Sequence, residues 1–207
     1  MTARRPLLIG LTGSIGMGKT ETARMFAGFG IPVYDADAAV HRLYAPGGEA
    51  VAAIEKAFPE CVASGRVDRA CLSARIRADR TALARLEMIV HPLVMRDQEI
   101  FVTRAAEQGA DIVVLDVPLL FEAGAHSRMD AVVVVTAPED VQRERVLARP
   151  GMSEDLLDQI LSRQLSDVDK RKLAQFVVET HKGLDHARQQ VREIVAALRA
   201  GRRGENA

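Results

Sequence analysis

"GLTGSIGMGKT", residues Gly10–Thr20, packs four glycines and a lysine into eleven positions. Glycine loses more freedom on ordering than any other residue, so this density needs a reason. The spacing Gly13-x-x-x-x-Gly18-Lys19-Thr20 is that of the phosphate-binding P-loop. The segment Gly13, Ser14, Ile15, Gly16, Met17 and Gly18 would turn its backbone N–H groups onto phosphate oxygens. The following helix would add its free N–H groups and the positive end of its dipole. Lys19 supplies a mobile cation for the β- and γ-phosphates, Thr20 a hydroxyl for Mg2+, and Glu21 stands in the first turn beside them. Ser14 and Met17 occupy variable positions of the pattern and carry no information in this reading.

The motif needs a strand before it and a helix after it. "PLLIGLT" (Pro6–Thr12) is a short apolar run, and "TETARMFAGFG" reads as a helix ending on Gly28 and Gly30. Four further apolar runs follow: Ile31–Asp37, Asp111–Leu120, Asp130–Pro138 and Phe176–Thr180. Runs of Val, Ile and Leu without alternation indicate strands buried on both faces, hence a parallel sheet covered by helices. Leu184, Ala187, Val191, Ile194 and Leu198 form one helical stripe. Leu83, Leu86, Ile89 and Val90 form another, which His91-Pro92 is expected to break, with a new helix starting at Pro92. The fold class is α/β, a P-loop NTPase-type doubly wound sheet of five parallel strands. The core is expected over about 6–37, 109–148 and 174–200. The interval from Val40 to Gln108 holds no convincing strand and reads as a helical insert over about 40–108.

Length and composition fit one domain: 207 residues, 48% hydrophobic, 27% charged. Lys+Arg and Asp+Glu both number 28, which gives no support for a nucleic-acid or membrane-surface partner. No stretch approaches the roughly 18 apolar residues of a membrane span. The apolar run in "MTARRPLLIG" breaks too soon for a signal peptide, so a cytoplasmic location is expected. The tail Gly201–Ala207 is polar and reads as frayed. Cys61 and Cys71 lie in a polar stretch without CxxC spacing and are read as two free thiols.

A guanine reader Asn-Lys-x-Asp is absent, since the only asparagine is Asn206. A small P-loop domain with a helical insert points to a small-molecule kinase using ATP. Ligands of such sheets bind at the carboxyl ends of the strands. Asp35 and Asp37, in "YDAD", follow the second strand; either Asp35 caps a helix or it joins the site, while Asp37 can orient an acceptor hydroxyl and take its proton. Asp116 ends "IVVLD" and either holds Mg2+, directly or through water, or caps a strand. In Pro118–Glu122 (PLLFE), Leu119, Leu120 and Phe121 either wall an acceptor pocket or are core. His91 is either a structural cap or an acceptor-side residue. Arg145 and Arg149 share a helix face. Past a hinge at Pro150-Gly151, a helix starting at Ser153 reads as a lid, over about 149–166. An arginine there would neutralise the transferring phosphoryl group, or simply be solvated. Lys182 and Gly183 lie in the loop after the fifth strand, where an adenine could rest on the backbone.

Taken together, "IGLTGSIGMGKT", "GIPVYDAD", His91-Pro92, "VPLLFE", Arg145 with Arg149, Arg163-Gln164 and "AQFVVETHKG" resemble the dephospho-CoA kinase family, in order and spacing from about Leu8 to Leu198. The resemblance implies transfer of the γ-phosphoryl of ATP to the ribose 3′-hydroxyl of dephospho-CoA, with Mg2+. It implies a helical CoA-binding insert and a helical lid, in a monomer or small homo-oligomer. Asp37 matches the family's general base, Lys19 its phosphate clamp and Arg149 its lid arginine. His91 and Pro118–Glu122 match its acceptor side. Two departures stand out. Family members often read Gly-Gly-Ile-Gly-Ser-Gly-Lys-Ser in the loop, and many carry Asn after the fifth strand, where this chain has Glu179-Thr180-His181. The second removes a side-chain contact to adenine and leaves backbone contacts.

Overall fold

A computed structural model describes residues 5–204, without the side chains of residues 80 and 202–204. Among the described residues two compact units emerge, 5–34 with 105–204, and 35–104.

The first unit is built on a five-stranded sheet. Its strands are β1 (Leu7–Thr12), β2 (Val33–Asp35, which ends in the other unit), β5 (Ile112–Asp116), β6 (Ala131–Thr136) and β7 (Phe176–Glu179). The spatial order is β2-β5-β1-β6-β7. β1 pairs in parallel with β5 and β6, and β6 with β7. β5 and β6 are buried along their whole length, which is why their sequences do not alternate. Each strand is shorter than its apolar run. The run Asp111–Leu120 leaves the sheet after Asp116, where the N–H of Val117 donates to Leu11 and Pro118 has none to give.

The helices of this unit are α1 (Lys19–Gly28), α6 (Glu139–Leu147), α7 (Glu154–Leu161), α8 (Asp167–Leu173) and α9 (Leu184–Gly204). α1 and α9 pack on each other, and α9 packs on β7. The expected stripe of α9 is buried at Ala187, Val191 and Ile194, while Leu184 at its start is exposed. These residues join Ile9, Phe26, Val114 and Val133 in the main core. α7 starts as expected at Ser153, whose hydroxyl accepts from the N–H of Leu156. The tail differs in part from its reading, since residues 201–204 continue α9; Asn206 lies outside the described residues.

The second unit comprises α2 (Ala36–Tyr44), α3 (Val51–Ala57), a short 3-10 turn, β3 (Val62–Ala63), β4 (Arg66–Val67), α4 (Arg69–Ala78) and most of α5 (Arg80–Glu107). Three expectations are corrected here. The interval does contain strands: β3 and β4 form a two-residue antiparallel hairpin, too short to show a period in sequence. α5 is continuous through Pro92. Proline removes one N–H from the ladder, but Met88, His91 and Pro92 are all exposed, so water can satisfy the carbonyl left over. Finally, Cys61 and Cys71 are not free thiols but a disulfide, with Cα atoms 5.3 Å apart. The hairpin between them folds the ten-residue separation back on itself. Cys61 is fully buried with Phe58, Ile54 and Leu72 in the core of this unit.

Candidate active site

The glycine loop joins β1 to α1, as the motif requires. Each of its glycines has a separate reason. A Cβ on Gly13 would lie 2.7 Å from the carbonyl oxygen of Val135, on the neighbouring strand. Gly16 and Gly18 hold φ of 81° and 95°, and a Cβ on Gly16 would strike Val146 of α6. Met17 corrects the reading of it as an uninformative letter. Its side chain is 2% exposed, sits in the main core, and its sulfur accepts from the N–H of Ala137 at 3.1 Å. It anchors the loop from below, so only its backbone can meet a ligand. Ser14 is buried as well.

Lys19 pairs with Asp116, which ends β5; the two side chains are 18% and 9% exposed. The expected cation and the expected acidic strand end therefore meet. Thr20 is exposed in the first turn of α1, and Glu21 beside it pairs with Arg24. Arg145 donates to the hydroxyl of Thr180 at 2.9 Å and to its carbonyl at 3.0 Å. That hydroxyl in turn donates to the carbonyl of Met17 at 2.7 Å. Arg145, Arg149, Gly16, Gly18, Glu21 and Thr180 line one cavity of about 330 Å³. Gly183, with φ 95°, opens α9, and its carbonyl accepts from Ala187. Lys182 is held by Glu179 at 2.6 Å, and this ammonium sets the Glu179 carboxyl below its ordinary range.

The PLLFE segment divides. Leu119 is 45% exposed and Pro118 accepts from the Thr12 hydroxyl at 3.0 Å. Of the two readings open for Leu120 and Phe121, packing favours core over pocket wall: they cluster with Val132 and Val134. Glu122 faces inward too. It accepts from the N–H of Leu165 at 2.7 Å and pairs at 3.0 Å with Lys170, whose side chain is fully buried. Burial alone would raise the Glu122 carboxyl; the N–H groups of Glu122 and Leu165 and the Lys170 ammonium outweigh it and hold the group below its ordinary range.

In the second unit, Asp35 caps α2, its carboxylate accepting from the N–H of Ala38 at 2.9 Å. Asp37 stands exposed in the first turn of the same helix, and His91 is exposed on α5.

A family model described as dephospho-CoA kinase matches residues 7–186. The chain belongs to the dephospho-CoA kinase family. A dephospho-CoA kinase of Mesorhizobium japonicum is 54% identical over 198 residues, covering 96% of this chain and 99% of that protein. A crystal structure from Thermus thermophilus, 34% identical, superposes with a TM-score of 0.84 over 94% of this chain and 98% of that one. A dephospho-CoA kinase of Campylobacter jejuni shares the fold at 18% identity, with a TM-score of 0.64 over 94% of this chain and 98% of that one. Dephospho-CoA kinases are phosphotransferases, and the P-loop architecture of the first unit is the one this family uses.

Several groups that hold the loop leave no signal in the sequence. Gln142, 4% exposed on α6, donates to the carbonyl of Ile15 at 2.7 Å, and Gln164 accepts from the N–H of Ile15 at 3.3 Å. Two glutamines thus hold both backbone groups of one loop residue. Gln164 was part of the family resemblance, but nothing in a single sequence aims it at Ile15. In sequence Thr180 is visible only as a departure from the family pattern; in the structure it ties the loop after β7 to the glycine loop and to Arg145. A second cavity, of about 550 Å³, has Thr136, Pro138, Leu165, Asp167 and His181 in its lining. Among the described residues no cluster of His, Cys, Asp or Glu could hold a metal by itself, and no helix is long and apolar enough to cross a membrane.

Proposed function

We propose that this chain transfers the γ-phosphoryl group of ATP to the ribose 3′-hydroxyl of dephospho-CoA, giving coenzyme A and ADP. The family match over residues 7–186 carries the reading of the acceptor. The donor side is supported by the glycine loop, its Lys19–Asp116 pair and the two arginines that face Gly16 and Gly18.

In this reading the backbone of Gly13–Thr20 cradles the phosphates and Lys19 turns from Asp116 to the β- and γ-phosphates. Arg149 approaches from the hinge and spreads the charge of the transferring group. Arg145 stays with Thr180 and keeps the base side of the cavity in shape, where Lys182 and Gly183 lie in the adjoining loop. The Thr20 hydroxyl and the Asp116 carboxylate are hard oxygen donors of the kind Mg2+ prefers, and would hold it. The ion, when bound, neutralises charge on the phosphates. Asp37 orients the acceptor hydroxyl and takes its proton; Asp35, once its capping bond is made, has a second oxygen for the acceptor. His91, Pro118 and Leu119 belong to the acceptor side. Glu122 acts indirectly, by fixing the segment that carries Gln164.

The helical unit is read as the CoA-binding insert and residues 149–166 as a lid. The chain works as a monomer or small homo-oligomer, with no nucleic-acid or membrane partner. A cytoplasmic location belongs to the same proposal; a reducing compartment would open the Cys61–Cys71 bond. One assay separates this reading from a nucleoside monophosphate kinase and from a non-catalytic nucleotide switch. The protein is mixed with Mg-ATP and either dephospho-CoA, AMP or no acceptor, and ADP is followed. ADP formation that depends on dephospho-CoA is expected; dependence on AMP, or on no acceptor, overturns it.

A further inference from the structure

The helical unit contains a cavity of its own, of about 580 Å³. Arg66, Arg69, His41 and Tyr44 face it, with Asp68 as its one acidic residue. Local structure sets these groups firmly. Arg66 follows the hairpin turn Ser64-Gly65, where both residues hold positive φ (51° and 71°), the geometry of a tight two-residue hairpin. Arg69 opens α4, directly after the Asp68 cap that fixes the first turn of that helix. The Asp68 carboxylate is turned away from ligand duty, because it caps α4 by accepting from the N–H groups of Ala70 at 2.8 Å and Cys71 at 3.1 Å. Two guanidinium groups therefore face the cavity with their nearest acid already engaged. Arg69 is oriented by His41, donating to its Nε2 at 2.6 Å. The Tyr44 ring is buried, which raises its hydroxyl above the ordinary range despite Arg69 nearby, and among the described residues the hydroxyl has no hydrogen-bond partner.

The position of this cavity matters as much as its charge. Asp37, His41 and Tyr44 are spaced i, i+4, i+7 on α2 and share one face. The arginine cavity thus begins about one turn, roughly 6 Å, beyond Asp37 along the helix. On the reading that Asp37 receives the ribose 3′-hydroxyl, the 5′ substituent of the same ribose begins roughly 5–10 Å from that hydroxyl, a span that matches about one to two turns of α2. That substituent is a diphosphate. We propose that Arg66 and Arg69, with the Tyr44 hydroxyl, bind the diphosphate of the acceptor and hold its ribose over Asp37. This rests on the proposed function above. Planar guanidinium forks suit adjacent phosphate oxygens, and two of them suit a diphosphate better than a monophosphate.

The test uses the full chain, with Arg66→Gln, Arg69→Gln and Arg69→Lys. In both Gln variants KM for dephospho-CoA should rise about 10-fold or more, the usual loss for a charge-assisted hydrogen bond. KM for ATP and kcat at saturating dephospho-CoA should stay within about twofold. Arg69→Lys should recover part of the loss by keeping the charge. Among the described residues Arg66 has no side-chain bond, so its variant keeps the test open if loss of the Arg69–His41 contact disturbs folding. A dephospho-CoA KM within about twofold of the parent in both Gln variants overturns the assignment. A parent protein with no dephospho-CoA-dependent turnover overturns the functional reading itself, which is a separate result.

Discussion

Replacing Thr180 with valine removes one hydroxyl while keeping the side chain's shape, and the structure says what that should do. The hydroxyl donates to the carbonyl of Met17 at 2.7 Å and accepts from Arg145 at 2.9 Å. Its methyl lies against Gly18, where a glycine Cβ would be only 3.1 Å away. Valine keeps that packing. The Met17 carbonyl loses its donor in a part-buried place, which costs about 1–3 kcal/mol. Arg145 keeps its bond to the Thr180 carbonyl and is half-exposed, so its loss is smaller, about 0.5 kcal/mol. The net is about 2 kcal/mol, or about 4–8 °C in Tm for a chain of this size. Met17 is the residue before Gly18, so the same change loosens the backbone that would meet the phosphates. kcat/KM for ATP should fall about 3- to 10-fold, and Thr180→Ser, which keeps the hydroxyl, should restore most of it. Thermal unfolding and ATP-dependence kinetics on the three proteins decide the matter. A valine variant with parental Tm and parental kcat/KM for ATP would show that this hydroxyl does not tie the loop.

Four other outcomes are expected. Asp37→Asn should lower kcat about 100-fold or more while leaving ATP affinity, read by calorimetry, unchanged; near-normal turnover removes the base role. Gln164→Met removes the acceptor for the Ile15 N–H without shortening the side chain, and should speed hydrogen exchange at that amide, with Gln164→Glu protecting it. Glu122→Gln leaves Lys170 buried without its counter-charge and should cost about 3 kcal/mol at neutral pH by denaturant titration. Since the folded Glu122 carboxyl sits below its ordinary range, its contribution is present above that range, near pH 4.3, and is lost as pH falls through the folded value; the two proteins should converge there. Reduction of Cys61–Cys71 should destabilise the helical unit by about 3 kcal/mol, and thiol labelling of the native, unreduced protein should find neither cysteine reactive.

Much of the donor side was legible in the sequence because its physics is local. Gly13, Gly18 and Lys19 lie within seven consecutive residues, so the spacing already contains the cradle. The five apolar runs declared a parallel sheet because both faces of β5 and β6 are covered, and that burial leaves a compositional mark. What stayed hidden depends on distant residues. Gln142 and Gln164 meet at Ile15 only after β6 and β1 have paired. The hairpin β3–β4 is two residues per strand and has no room for a period. Leu120 and Phe121 read in sequence as wall or core, and packing against Val132 and Val134 favours core. Pro92 was read by its usual local effect, and an exposed position on a long helix overrode it. The cysteines were read from compartment and spacing, whereas a turn between them set their distance.

The central claim is that a phosphoryl group moves from ATP to one hydroxyl of dephospho-CoA. Phosphorus NMR of the product from Mg-ATP and dephospho-CoA tests it most directly. The account predicts a new monoester resonance, coupled to the ribose H3′ proton and equal in amount to the ADP formed. ADP accompanied only by inorganic phosphate, or a monoester on any other hydroxyl, would contradict it.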